Sequence, residues 1–97
     1  MELDELTLAT FEPRVGDAFA LGGTGNDAIE LVLESATAAG TWPGGRDPFS
    51  LVFRGPAQPL LPQATYRLEH AGLGALEIFI VPIGQDGAVT RYEAVFT

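Results

Sequence analysis

Hydrophobic residues recur at every second position through the C-terminal half of the chain, in four pieces spanning 49–54, 65–70, 76–83 and 89–96. Phe49, Leu51 and Phe53 share one face of the first piece, and Tyr66, Leu68 and His70 one face of the second. Leu76, Ile78 and Ile80 do so in the third, and Tyr92, Ala94 and Phe96 in the fourth. Successive side chains of a strand point to opposite faces, so this period predicts four strands whose apolar sets meet in one core. Clusters of Gly, Pro, Asn and Asp between the pieces predict turns.

A slip of one residue would turn a whole apolar set outward, which lets the pattern be used to pair the strands. Matching inward faces opposes His70 to Leu76, Leu68 to Ile78 and Tyr66 to Ile80 around a loop of residues 71–75, whose Gly72 and Gly74 suit positive φ angles. The same matching opposes Ile80 to Tyr92, Ile78 to Ala94 and Leu76 to Phe96 around a turn containing Gln85, Asp86 and Gly87. The C-terminal half therefore reads as a meander. Pro82 has no N–H to give to a ladder and marks an edge, a bulge or the end of a strand.

The N-terminal half is less regular. Residues 3–11 read as a short helix with Leu3, Leu6 and Thr10 or Phe11 on one side, stopped by Pro13, whose preceding residue is steered away from α geometry. Residues 18–21 read as a short strand. Residues 28–39 carry two patterns at once: Asp27 with Glu30 resembles a capping box and Gly40 a helix stop, while Ile29, Leu31 and Leu33 alternate with Glu30, Val32 and Glu34. Strand is the preferred reading, because the neighbouring strands need a partner. The elements together predict a mainly β fold, a small antiparallel barrel or sandwich of about six strands with one short N-terminal helix.

Composition narrows the class. At 97 residues the chain is one domain, 1–97, with 46% hydrophobic and 19% charged residues, a balance that folds. Cysteine is absent, which removes disulfides, thiolate chemistry and sulfur-based zinc sites. The longest apolar runs, 28–33 and 78–83, fall far short of the roughly 20 residues of a membrane helix. The first five residues, Met1-Glu2-Leu3-Asp4-Glu5, are acidic where a secretory signal would be basic, so cytoplasmic synthesis and folding are expected. Export by a specialised machine would leave no mark in such a sequence. Thirteen acidic residues face five basic ones, all arginine, for a net charge of −8. Nucleic acids and anionic membranes are therefore not expected as partners.

The segments Pro48-Phe49-Ser50-Leu51-Val52-Phe53-Arg54-Gly55-Pro56, Leu61-Pro62-Gln63-Ala64-Thr65-Tyr66-Arg67-Leu68-Glu69-His70, Leu76-Glu77-Ile78-Phe79-Ile80-Val81-Pro82-Ile83-Gly84 and Arg91-Tyr92-Glu93-Ala94-Val95-Phe96 carry a resemblance. With Phe11-Glu12-Pro13 and Val15-Gly16-Asp17-Ala18-Phe19, they make nearly the whole chain similar to an uncharacterised bacterial family of small β-rich domains of unknown function. The resemblance implies a compact β-rich domain and settings that include phage-tail-like and fibre-like proteins. It brings no assigned catalytic residues.

Candidate chemistry is sparse. His70, the only histidine, lies beside a turn, where an imidazole usually bonds a loop carbonyl; catalysis would also require a nucleophile and an orienting group. The proposed pairing sets Glu69 against Glu77 with Arg67 alongside and Arg54 and Arg91 near, an arrangement read as an ionic network before an acid/base or cation site. Gly22-Gly23-Thr24-Gly25-Asn26 has neither the lysine nor the spacing of a phosphate loop and reads as a flexible turn. The outward face instead carries Phe79, Val81 and Val95 with Val52 on a neighbouring strand, apolar where a one-sided sheet should be polar. Either the N-terminal segment with Leu3, Leu6 and Phe11 covers this stripe or another protein chain does. Trp42, in the 42–47 loop, is either folded onto the core or a binding anchor.

The expectation is a non-catalytic structural or protein-interaction module, a subunit or adaptor that associates with itself or with another assembly subunit, without cofactor or metal. The alternatives are a small-ligand-binding barrel lined by Tyr66, Tyr92, His70 and Phe53, and a small enzyme using Glu69, Glu77 or His70.

Overall fold

The computed structural model describes residues 6–21, 29–39, 48–58 and 60–96. A short helix α1 (Leu8–Phe11) runs into a 3₁₀ turn (Glu12–Arg14). Six strands follow: β1 (Ala18–Leu21), β2 (Ile29–Ala38), β3 (Phe49–Pro56), β4 (Ala64–His70), β5 (Gly74–Asp86) and β6 (Val89–Phe96). Every pairing is antiparallel and the order β1-β2-β3-β6-β5-β4 closes into a barrel. Closure leaves no sheet edge running the length of the fold. No helix among the described residues is long and apolar enough to cross a membrane.

The expected helix is shorter than the sequence suggests. Thr7 caps it, its N–H donating to Thr10 Oγ1 at 3.1 Å. Pro13 does not stop the chain's turning but sits inside the 3₁₀ segment, where the first N–H groups have no intrahelical role to lose. Residues 1–5, including Leu3, lie outside the described residues. In residues 29–38 the alternation prevails over the helical signals: Leu31 and Leu33 are fully buried while Glu30 is exposed. A bulge interrupts this strand, since Leu33 pairs with Phe53 and Ser35 with Val52, leaving Glu34 as the extra residue.

The two C-terminal hairpins differ from the expected pairing by two residues each. Leu68 faces Leu76, Tyr66 faces Ile78 and His70 faces Gly74, so the loop is Ala71-Gly72-Leu73. Of its expected positive-φ glycines only Gly74 is one, at 78°. In the last hairpin Pro82 faces Tyr92 and Asp86 faces Val89, which moves Gln85 and Asp86 into the strand and leaves the two-residue turn Gly87-Ala88. Gly87, at φ 64°, takes the first central position, as a II′ hairpin turn requires. Pro82 lies at a bulge, with Ile83 as the residue left over before Gly84 pairs with Arg91.

Inward side chains form one cluster that includes Phe19, Leu31, Phe53, Leu68, Ile78, Ile80 and Tyr92. Leu6 and Phe11 belong to it. The Phe11 ring lies 5.9 Å from Phe49 and 5.8 Å from Phe96, which stack on each other at 4.7 Å, so α1 plugs one end of the barrel. Near the other end, β3 approaches its neighbours so closely that a Cβ on Gly55 would stand 2.6 Å from Leu31 Cδ2 and 3.6 Å from the Tyr92 ring. Only glycine fits there without repacking. The connection from β3 to β4 is tied down by the Tyr92 hydroxyl, which accepts from the Leu61 N–H at 3.1 Å, and by Gln85 Nε2, which donates to the Ala57 carbonyl at 2.8 Å.

Candidate interaction surface

The closing seam of the barrel is its narrowest. β1 and β4 share only the pairs Ala20 with Glu69 and Leu21 with Leu68. His70 continues the seam by side chain. Its Nδ1 accepts from the N–H groups of Gly72 at 2.9 Å and Leu73 at 3.1 Å. An imidazole nitrogen that accepts carries no proton, so the hydrogen resides on Nε2, which donates to Asp17 Oδ2 at 2.8 Å. The ring also packs on Phe19 at 4.7 Å. Both nitrogens are thus engaged, and the expected loop carbonyl is replaced by two loop N–H groups and a carboxylate from the chain segment entering β1. Asp17 was not recognisable as the partner because 53 residues separate it from His70.

The expected ionic network divides. Arg67 faces Glu77 in the ladder and Glu69 faces Ala75, so the two carboxylates are not set against each other. The two-residue change in register removes that like-charge pair. Arg67 instead meets Glu69 along its own strand, Nε to Oε2 at 3.8 Å. Arg54 and Arg91 are direct cross-strand partners on β3 and β6. Two like charges in that position repel. Glu34 offsets this: its Oε1 accepts from Arg91 Nε at 2.8 Å and its Oε2 lies 3.7 Å from Arg54 Nη1. Asp86 approaches Arg91 Nη1 at 3.5 Å. The bulge in β2 is what aims Glu34 at both arginines. Sequence reasoning missed Glu34 because uninterrupted alternation gives no sign of an inserted residue.

The Arg91 hydrogen bond, opposed by partial burial and reinforced by the charges of Arg91 and Arg54, holds the Glu34 carboxyl below the ordinary value of 4.5. A carboxyl whose pKa is lowered on folding stabilises the fold above its unfolded value, and that contribution fades as pH falls through the folded value. Glu34→Gln is therefore expected to reduce stability at neutral pH. The loss relative to the parent should shrink below pH 4.5. Urea denaturation at several pH values reads this directly, and an equal loss at every pH would refute the linkage.

The apolar stripe is on the outside, as its alternation implies. Phe79 is exposed by 52% and Val95 by 58%, and Val81 and Val52 are half-buried. Ile83, the residue left over at the β5 bulge, joins them at 52%. The ladders set Val81 and Val52 on either side of Glu93, Val95 beside Ser50, and Phe79 beside Thr65. Leu6 and Phe11 do not cover the stripe; they are in the core. Trp42 and the 22–26 glycine segment lie outside the described residues.

The side chains named for a ligand cavity have other roles. Phe53 and Tyr92 are core residues, the Tyr66 hydroxyl donates to the Pro62 carbonyl at 2.7 Å, and His70 closes the seam. Among the described residues no three of His, Asp and Glu converge on a point where a metal ion would sit. A family model described as Domain of unknown function (DUF6916) matches residues 6–96. No curated protein and no solved structure matches the chain.

Proposed function

Because the chain belongs to that family of unknown function, no activity comes with membership, and we propose that it is a non-catalytic protein-interaction module. It serves as a subunit or adaptor of a larger assembly, with the phage-tail-like and fibre-like settings of the earlier resemblance as the first places to look. The observation that carries this reading is the outer stripe of Phe79, Val81, Ile83, Val95 and Val52, which Leu6 and Phe11 of the N-terminal segment do not cover because they are drawn into the core. Exposed apolar side chains gathered on one face, rather than scattered, mark a docking surface. The hydrogen-bonded β3–β6–β5 ladders beneath them already hold these side chains on one face, so little backbone ordering is needed when a partner arrives. A protein partner suits the chain better than a nucleic acid, since the net charge of −8 repels phosphate. The commitment of both His70 nitrogens, and the separation of Glu69 from Glu77, support a role without catalysis.

A photo-crosslinking residue placed at Phe79 tests the proposal in cells of the source. It should capture one discrete protein that a control crosslinker at the exposed Glu12 does not, and excess unlabelled parent should compete the product away. Phe79→Asp should abolish competition while leaving the thermal midpoint of the domain unchanged. Capture that is equal at both sites, or competition by Phe79→Asp as strong as by the parent, would remove the stripe from consideration.

A further inference from the structure

The stripe has a charge at its centre. Glu93 is flanked across the strands by Val81 on β5 and Val52 on β3, and Val95 follows two residues along β6 on the same outward face. Among the described residues its carboxylate accepts one hydrogen bond, from Ser50 Oγ at 3.0 Å to Oε2. Any chain that covers Phe79, Val81 and Val95 also removes water from Glu93. A carboxylate desolvated with a single neutral donor is strongly unfavourable, so the cover must itself bring a cation or a set of donors.

A second copy of this chain has few cations to offer, five arginines against thirteen acidic residues. Arg46 lies outside the described residues; among the described ones Arg91 is held by Glu34 and Asp86, Arg54 lies against Glu34, Arg67 against Glu69, and Arg14 Nη1 donates to the Thr10 carbonyl. Two copies would also bring together net charges of −8 each. Resting on the docking role proposed above, we infer that the occupant of the β3–β6–β5 face is a different protein chain, one whose apolar strip carries an arginine or lysine that pairs with Glu93. Arginine fits best, because its planar fork can meet a carboxylate through two parallel bonds. Glu93 is then the specificity element of the face: it rejects neutral and acidic strips that the valines alone would accept.

Two measurements on the full chain test this. Sedimentation across a wide concentration range should show a monomer. The blocked peptide Val-Thr-Arg-Thr-Val, whose valines and arginine share one face when extended, and its counterpart with glutamate in place of arginine, are then titrated into the isotopically labelled protein by NMR. The arginine peptide should shift the amides of Phe79, Val81, Glu93 and Val95, and bind about tenfold more tightly than the glutamate peptide. Glu93→Gln should erase that preference. Equal binding of the two peptides, or an undiminished preference in Glu93→Gln, would overturn the cation requirement while the docking face stands. A dimer in the parent that Phe79→Ser disperses would make a second copy the occupant, overturning the inference and again sparing the face. Failure of both peptides to move the Phe79 and Val95 amides would sink the docking face itself, and this inference with it.

Discussion

Phe19→Ala is expected to lower the stability of the domain by about 3–5 kcal/mol, the range for removing a buried phenylalanine from a packed core. Phe19 is fully buried on the shortest strand and meets Phe53 edge-on at 5.3 Å and His70 at 4.7 Å. β1 has four residue pairs with β2 but two with β4, so its hold on the seam depends on side chains more than on the ladder. A ring deleted there leaves a cavity and at the same time loosens His70. Domains of this size are stable by only about 5–15 kcal/mol, so this one change removes a large fraction of the total and should lower the denaturation midpoint markedly. Equilibrium denaturation checks this, with Phe79→Ser as the control: the same residue type, exposed, with an expected change within about 0.5 kcal/mol. Equal losses in the two variants would mean that burial does not rank these side chains.

Replacing His70 by alanine should be the next most damaging change considered, at about 2–3 kcal/mol, since three hydrogen bonds of roughly 1 kcal/mol each disappear together. Nothing in the alanine variant accepts from Gly72 and Leu73 N–H, and Asp17 loses its donor. His70→Asn should recover part of the loss, because the asparagine oxygen occupies nearly the place of Nδ1 and can accept from the same two N–H groups. It cannot reach Asp17. The order parent, asparagine, alanine is thus expected, and amide exchange in the β4–β5 turn should rise in the same order. A nitrogen NMR spectrum of the imidazole adds an independent check by placing the proton on Nε2. A proton on Nδ1, or an alanine variant as stable as the parent, would show that the ring does not close the seam.

How far the sequence could be read depended on the kind of information each feature needs. The inward sets of all four C-terminal strands were legible from alternation alone, because the water-facing and core-facing sides of a strand differ by one residue. The pairing was not. A shift of two residues keeps every apolar side chain inward, so hydrophobic matching cannot tell Leu68 opposite Leu76 from Leu68 opposite Ile78. The turns decide between them: Gly74 and Gly87 fix a three-residue and a two-residue loop, and with them which charges meet. That choice moved Glu77 from Glu69 to Arg67. The bulge at Glu34 escaped for a related reason, since an inserted residue reverses the alternation only where a partner strand is present to count against, whereas Pro82, lacking an N–H, had marked a bulge among its three possible meanings.

Residue chemistry at every second position by itself determined that the chain makes an antiparallel β domain with an apolar inside and an unusually apolar outer stripe at Phe79, Val81 and Val95. Tertiary structure alone decided that the sheet closes on itself, that Leu6 and Phe11 plug the barrel instead of covering the stripe, that Asp17 reaches His70, and that Glu34 joins Arg54 to Arg91. The physical reason is one of range. Side-chain alternation is a local property of a strand, whereas closure, plugging and ion pairing depend on contacts between segments far apart in the chain, whose relative placement only the packed core sets.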